Sequence, residues 1–294
     1  MKKLLFPILF LLLLAGCKQP GEKQPDFTFA FLTDIHVQPE RNAAAGFQQA
    51  IDTVNALNPD FVITGGDLIM DALGQKRSRA DSLYRLYKNL AEGFHMPVYN
   101  TVGNHELFAF YNHDIATDDP DYGIGMFRKY LGDPWQSFDY NGWHFILLKS
   151  IEATETRNYE GKINPEEMAW LQKDLASVAD TTPIVVSIHI PLISGYAQWL
   201  NGGLAVNGRG SVITNGKEVL DLLKTKNLKL VLQGHLHCLE DYYVDGVHFI
   251  TGGAVSASWW NGPLRGMEEG FLLIKVFGDD FQWSYIDYGW TPHK

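Results

Sequence analysis

Five short polar clusters in this sequence contain residues that could bind metal ions. They are Asp34-Ile35-His36, Gly65-Gly66-Asp67, Gly103-Asn104-His105-Glu106, an isolated His189, and Gly234-His235-Leu236-His237. A lone histidine or a Gly-Asp pair is usually a hydrogen-bonded or turn residue, so each cluster by itself says little. Their occurrence together along one chain indicates a shared site.

The side chains of these clusters offer carboxylate oxygen, amide oxygen and imidazole nitrogen. This combination suits Mn²⁺, iron or Zn²⁺, and the lack of thiolates argues against a structural zinc site. The candidate side chains are more than one ion needs: Asp34, His36, Asp67, Asn104, His105, His189, His235 and His237. They fit two ions about 3.5–4 Å apart that share a bridging carboxylate.

The elements that carry the first three clusters follow an alternating pattern. Strands are predicted over residues 27–33, 61–64 and 98–102, with helices over 43–57 and 78–94 between them. This alternation predicts an α/β fold, and each of these strands ends in one of the clusters. Open α/β sheets bind ligands at that edge, so we expect the clusters to converge there.

The later part of the chain continues this pattern and then changes. We predict a hairpin around Asn141-Gly142, a helix over residues 165–178, and strands over 184–188 and 228–232 that deliver His189 and the last cluster. From residue 240 onward only strand patterns occur, with turns at 245–246 and 278–279. We expect these strands to complete a second sheet.

In the order and character of its clusters, the chain resembles the calcineurin-like metallophosphoesterase superfamily. The resemblance runs by motif from Phe27 to His237. It implies a single α/β domain over residues 27–294, a two-sheet β-sandwich flanked by helices in four layers. The Asp-x-His first cluster, and the absence of a tyrosine four residues after Asp67, argue against a purple-acid-phosphatase type of site. The pattern is closer to the class III cyclic-nucleotide phosphodiesterase and sphingomyelinase-like branches.

The resemblance also implies a role for each residue. The first metal would be held by Asp34, His36 and His237, the second by Asn104, His189 and His235, and Asp67 would bridge the two. If residues 34–36 are extended, the side chains of Asp34 and His36 point to one face. The glycines of the clusters are expected where the backbone turns sharply close to the ions.

His105 has a different implied role, because in this superfamily it contacts the phosphate or protonates the leaving oxygen. We therefore expect it to be the general acid. Glu106 either orients an imidazole of the site or only accepts hydrogen bonds from loop amides. The implied reaction is in-line attack on phosphorus by a hydroxide that bridges the two ions, without a covalent intermediate.

A phosphodiester is the leading substrate class on this resemblance, and a phosphomonoester is the alternative. A third hypothesis is an inactive binding module of the cell envelope, which the completeness of the ligand set disfavours. Substrate specificity is expected to lie in loops 191–216 and 252–266. The first contains Tyr196, Trp199 and Arg209, with Arg209 a candidate partner for a second phosphate, and we expect at least one of Trp259 and Trp260 to lie in the core.

The net charge of −10, from 24 basic and 34 acidic residues, disfavours duplex nucleic acid as a partner. A small-molecule phosphate ester bound through metal ions is not subject to this objection. The sequence offers no sign of a protein partner. We treat His95, His144, His248 and His293 as structural or surface residues.

The N-terminus has the pattern of a targeting segment. Two lysines precede an apolar run from Leu4 to Leu14, and Leu13-Leu14-Ala15-Gly16-Cys17 resembles the bacterial lipoprotein processing box. We predict a signal peptide over residues 1–16 and a lipidated tether over 17–26 that binds the membrane of the cell envelope through Cys17. The alternative is a plain secretory signal. Only Cys17 and Cys238 are present, so no disulfide framework is expected.

Overall fold

The computed structural model of the protein describes residues 23–292. The predicted signal peptide, Cys17 and His293 therefore lie outside the described residues. Strands are β1 (Phe27–Leu32), β2 (Phe61–Thr64), β3 (Val98–Asn100), β4 (Gln136–Tyr140), β5 (Trp143–Leu148), β6 (Ile151–Ala153), β7 (Tyr159–Gly161), β8 (Ile184–Ile188), β9 (Leu228–Gln233), β10 (Leu239–Val244), β11 (Val247–Gly252), β12 (Gly270–Phe277) and β13 (Asp280–Asp287).

The helices cover both outer faces of the fold. They are α1 (Ala43–Leu57), α2 (Arg77–Ala91), α3 (Gly125–Leu131), α4 (Pro165–Ser177), α5 (Tyr196–Asn201) and α6 (Gly216–Leu223), with a 3₁₀ turn at Asn104–Glu106. Within residues 23–292, no helix has both the length and the apolar character that crossing a membrane requires.

The strands form two large sheets that pack face to face. One has the order β13-β12-β1-β2-β3, the other β10-β11-β9-β8-β5-β4, and β6 and β7 form a separate hairpin. The α/β, two-sheet prediction is confirmed. One detail of it was wrong, because only β10 and β11 of the C-terminal strands join the second sheet. Strands β12 and β13 instead extend the first sheet, where β12 pairs antiparallel with β1.

The core lies in layers because β1 buries both of its faces. Phe29 packs between the sheets, with its ring 5.1 Å from that of Phe61 and 5.5 Å from that of Phe145 of the opposite sheet. Ala30 and Leu32 face the other way, toward the helices, and are fully buried there. The parallel strands are thus covered on both sides, and only their ends remain available for a site.

The predicted boundaries of the main elements agree closely with the structure. Helix α1 has the predicted range, and α4 begins at Pro165 after Asn164, whose side chain accepts a hydrogen bond of 2.8 Å from the amide of Glu167. The turn between β4 and β5 places Asn141 and Gly142 at φ 45° and 84°, as a two-residue hairpin turn requires.

Residues 254–260, which follow β11, fasten the C-terminal half of the chain to the loop after β1; we call them the clasp. The Ser256 hydroxyl donates to the carbonyl of Asp34 at 2.8 Å. The indole N–H of Trp260 donates to the carbonyls of Ile35 and His36 at 3.0 and 3.1 Å. Trp260 is 2% exposed and packs on α1 at Gly46. The prediction that one tryptophan of the pair lies in the core is confirmed for Trp260.

His144 connects the edge of the second sheet to α4. Its Nδ1 lies 2.7 Å from the Asp139 carboxylate on β4, and its Nε2 lies 2.9 Å from the Asp174 carboxylate on α4. Burial lowers the pKa of His144, but the hydrogen bonds to Asp174 and Asp139 outweigh burial and raise the pKa above its ordinary value. The imidazolium form therefore stabilises this contact.

We predict that Gly46→Ala destabilises the protein, although alanine normally stabilises a helix interior by about 1 kcal/mol relative to glycine. A Cβ at this position would overlap the ring of Trp260, which has no room to move. The expected loss is about 1–3 kcal/mol in the free energy of unfolding, measured by urea denaturation. Gly216→Ala, where the new Cβ makes only ordinary contacts, is the control. A Gly46→Ala protein as stable as the wild type would show that the clasp is not tightly packed.

We predict that His144→Gln lowers the free energy of unfolding by about 1.5–3 kcal/mol at about pH 5.5, and by less at about pH 9. The sign follows from the raised pKa: the stabilisation is complete below the unfolded-state pKa and is lost as pH rises through the folded-state pKa. The exposed His95→Gln is the control. An equal loss at both pH values would contradict a role for the charged form.

Candidate metal centre

The predicted ligands converge at the carboxyl ends of β1, β2, β8 and β9 and in the 3₁₀ turn after β3. The carboxylates and imidazoles that lie close enough to share an ion form three overlapping groups: Asp34, His36 and His237; Asp67, His189 and His235; and His36, Asp67 and His105. All of these residues are buried except His105 and His235, which are half-buried. The five clusters therefore form one site.

The first group has the spacing of ligands to a single ion. Nε2 of His36 lies 3.0 Å from Nε2 of His237, which lies 3.3 Å from Oδ1 of Asp34. Two ligand atoms bound at right angles about 2.1 Å from one ion are about 3.0 Å apart. The described residues thus fit a divalent cation at this position.

Asn104 lies beside His189 of the second group, which also contains His235. Nε2 of His189 lies 3.2 Å from Oδ1 of Asn104 and 3.3 Å from Oδ1 of Asp67. Nδ1 of His235 is buried and has no hydrogen-bond partner among the described residues. A buried nitrogen without a partner is costly unless it binds something, and a cation fits here as well.

The Asp67 carboxylate lies between the two groups. Its Oδ1 faces His189 at 3.3 Å, whereas its Oδ2 faces Nε2 of His36 at 3.6 Å. The two oxygens are therefore directed at different groups. This is the arrangement that a bridging carboxylate needs.

Backbone carbonyls fix the orientation of two of the imidazoles. Nδ1 of His237 donates to the carbonyl of Ala257 in the clasp at 2.6 Å, and Nδ1 of His189 donates to the carbonyl of Gly65 at 2.8 Å. In each ring Nδ1 is thereby directed at the backbone, and Nε2 points into the site.

The segments that carry these residues are not extended, so the condition stated for residues 34–36 is not met, although Asp34 and His36 still lie in one group. A left-handed backbone occurs at Asp34 (φ 55°), His36 (48°), Asp67 (53°), His235 (72°) and His237 (48°). Such conformations cost about 1–3 kcal/mol each and persist only when their surroundings hold them. Hydrogen bonds between the loops do so, from the amide of Asp34 to the carbonyl of Gly66 and from the amide of His36 to the carbonyl of Asp67, at 3.0 and 2.9 Å.

Glycines permit this close approach, in two different ways. Gly66 has φ +90°, so it provides the sharp turn that was predicted. Gly103 has an ordinary extended conformation, but a Cβ there would overlap the backbone and carboxylate of Asp67. Its role is close packing and not turning.

Glu106 accepts hydrogen bonds from loop amides, so the second of its two predicted roles is confirmed. Its carboxylate accepts from the amides of Asp67, Leu68, Ile69 and Gly103 at 2.9, 2.8, 3.2 and 2.7 Å. Burial and the nearby Asp67 raise its pKa to about 7. Glu106 therefore joins the second cluster to the third and fixes the backbone amide of Asp67.

His105 lies at the open side of the site, as its predicted role requires. Its Nδ1 bonds the carbonyl of Met70, and its Nε2 lies 3.8 Å from Oδ2 of Asp67. Its ring centre is 4.6 Å from that of His36, and its side chain is 21% exposed. A substrate bound at this site can thus reach His105.

The charges of the site favour cations. Burial raises the pKa of Asp34, but the charge and hydrogen bond of His237 outweigh burial and lower it to about 2. The pKa of Asp67 is lowered as well, because the charges of His189 and His105 outweigh burial. Burial lowers the pKa of His235 to about 4. Both carboxylates are therefore ionised and His235 is neutral. Burial lowers the pKa values of His189 and His237, but the charges of Asp67 and Asp34 outweigh burial and raise them, to about 9 for His189, so these two rings release a proton when a metal ion binds.

Two aromatic residues at the site were not assigned to it from the sequence. Trp259 has φ 50°, and its ring lies 4.5 Å from that of His237. Tyr159 presents an edge to His235 at 6.3 Å. Cys238 belongs to none of the ligand groups, and burial raises the pKa of its thiol to about 12, so it is a neutral neighbour of the site.

Comparisons with known proteins agree with this geometry. The sequence matches the calcineurin-like phosphoesterase family over residues 27–239. It is 22% identical to the manganese-dependent ADP-ribose/CDP-alcohol diphosphatase of Arabidopsis thaliana, over 77% of this chain and 85% of that protein. It is 21% identical to a probable cyclic nucleotide phosphodiesterase of Xenorhabdus bovienii, over 79% and 87% of the two chains.

A solved structure with the same fold is the dimetal phosphatase from Danio rerio. It aligns with a TM-score of 0.66 at 16% identity, over 90% of this chain and 97% of that one. The family match covers most of the chain and all five polar clusters. The chain belongs to the calcineurin-like phosphoesterase family.

Proposed function

We propose that this phosphoesterase is a dinuclear metal-dependent hydrolase whose substrates are phosphodiesters. The observation that carries this proposal is the position of Asp67, with one carboxylate oxygen toward each group of ligands. A single ion would not need the second set of nitrogen and oxygen ligand atoms that this site contains.

The residues that would hold the two ions follow from the geometry of the site. Asp34, His36 and His237 would bind one ion; Asn104, His189 and His235 would bind the other; and Asp67 would contact both. Divalent ions in such a site lower the pKa of bound water and neutralise charge on the phosphoryl oxygens. The name of the Arabidopsis relative, a manganese-dependent enzyme, supports Mn²⁺ as the first metal to test.

His105 would supply the proton for the leaving oxygen. The carbonyl of Met70 holds the proton of Nδ1, so Nε2 is the atom that faces the substrate. Nε2 lies 3.8 Å from Oδ2 of Asp67. His105 can then donate from Nε2 as the ester bond breaks.

Two observations support a diester over a monoester. The relatives' names describe a diphosphatase and a probable cyclic nucleotide phosphodiesterase, both of which cleave a phosphorus that carries substituents on two sides. Aromatic side chains also lie on two sides of the site, Trp259 beside His237 and Tyr159 beside His235.

The direct test is turnover of an aryl phosphodiester and its matching monoester by the Mn²⁺-loaded protein. Faster turnover of the monoester would make the protein a phosphatase.

We predict that Asp67→Ala and Asp67→Asn each bind fewer than about two ions per chain and lose diester hydrolysis. Either change removes the charge that both groups of ligands share. Elemental analysis after loading with Mn²⁺ measures the stoichiometry, and circular dichroism confirms the fold. The matched control is Asp52→Ala, an exposed residue of α1. Two tightly bound ions in both Asp67 variants would rule out the bridging role.

We predict that His105→Ala retains its metal ions but loses about 10²–10⁴-fold in kcat on a diester with an alkyl leaving group. The loss should be much smaller with a nitrophenyl leaving group, because that group departs without a proton. His113→Ala, an exposed residue of the following loop, is the control. Equal losses on the two substrates would mean that His105 binds the phosphate but is not the acid.

A further inference from the structure

A pocket of about 480 Å³ opens directly beside the metal centre. His237, a proposed metal ligand, forms part of its wall, and Tyr196, Trp199, Arg265 and Met267 form the outer part. Loops 191–216 and 252–266 thus meet here, next to one of the two groups of ligands. A substrate held at the metal centre can extend into this space.

Arg265 is the cation of this pocket. Its guanidinium lies 5.4 Å from the ring centre of Tyr196 and 6.0 Å from that of Trp199, and it donates to the Tyr196 hydroxyl. Stacking on two rings fixes the planar fork of donors in one orientation. The side chain is nevertheless exposed on its outer side.

Arg265 has no carboxylate within 4.0 Å among the residues that the structure describes. Two carboxylates, Glu240 and Asp241, also line the pocket. Glu240 accepts from the Ser194 hydroxyl at 2.8 Å, the Gly195 amide at 3.1 Å and the Tyr242 hydroxyl at 3.1 Å. Asp241 lies 2.9 Å from Nδ1 of His248 and accepts from the Trp283 indole at 3.0 Å. Arg265 is thus held by stacking and forms no ion pair with the residues that the structure describes.

Arg209, which the sequence suggested for a second phosphate, is differently placed. Its Nε and Nη2 both donate to Oε2 of Glu160, with the Nε contact at 2.8 Å. It lies in a separate pocket with Tyr111 and Tyr159. Arg209 is therefore paired with a carboxylate, although its side chain remains 76% exposed.

We propose that Arg265 is a specificity-determining residue that binds a second anionic group of the substrate, a phosphate or a carboxylate, while the metal centre holds the phosphoryl group that reacts. The proposal rests on the proposed function, because it takes the metal centre as the place of hydrolysis. Tyr196 and Trp199 hold the guanidinium in place. The 66% exposed ring of Trp199 also offers an apolar surface to the chain that joins the two anionic groups.

The experiment compares aryl alkyl phosphodiesters whose alkyl chain ends in a hydroxyl, a carboxylate or a phosphate, in a series of increasing chain length. At the best length, the wild-type protein is expected to show a KM about ten- to one-hundredfold lower for a charged end than for the hydroxyl end. Comparison of the carboxylate-ended and phosphate-ended diesters shows which anion the protein prefers. Arg265→Gln should remove this preference, keep the KM of the hydroxyl-ended diester, and leave kcat within about twofold.

Three further measurements separate a substrate contact from a packing role. Arg265→Lys should retain part of the preference, because lysine keeps the positive charge but lacks the planar pair of N–H donors of a guanidinium. Arg209→Gln, the matched control, should retain all of it. Calorimetry of an alkane bisphosphate should show weaker binding to Arg265→Gln with no change in the number of bound metal ions.

The result that overturns the proposal is a wild-type protein that hydrolyses all three diesters with the same KM, or an Arg265→Gln protein that is impaired equally on all three. Failure of the proposed function looks different, because then no diester is hydrolysed at all, by the wild type or by the Arg209→Gln control.

Discussion

The carboxylate of Asp67 is the group on which the rest of the site depends. It is buried, ionised and directed at two sets of imidazoles, and a buried charge is tolerated only when its neighbours compensate for it. The compensation comes from backbone amides and imidazoles supplied by several loops, including the amide of His105 at 2.9 Å. Glu106 holds the amide of Asp67 itself, so the fold fixes this one residue through both its backbone and its side chain.

The same constraint explains the strained backbone of the ligand loops. Five ligand positions adopt left-handed φ values because the strands must end abruptly to bring donors from different loops within about one ion diameter of each other. The two packed sheets supply the stability that offsets this strain. The clasp adds a local restraint, since Trp260, Ser256 and the Ala257 carbonyl hold the backbone or the ring of three ligands of the first group. The groups that remain accessible around this centre, and could contact a substrate, are His105, Trp259 and the pocket of Arg265.

Most of the fold and the convergence of the polar clusters could be predicted because their signals are local. Strand-end clusters, the Asn141-Gly142 turn and the Pro165 helix start all lie within a few residues of the elements that they define. The choice of partner for a long side chain is not local. Arg209 and Arg265 look equivalent in sequence, yet one finds Glu160 and the other finds two aromatic rings. The pairing of β12 with β1, far away in the sequence, was missed for the same reason.

The central claim is that two ions share Asp67, and spin coupling between them tests it most directly. Electron paramagnetic resonance of the protein loaded with Mn²⁺ should show the coupled signal of two manganese ions that a carboxylate bridges, and Asp67→Asn should lose that signal. A fully loaded, active protein in which every manganese ion gives only the spectrum of an isolated ion would contradict a shared Asp67.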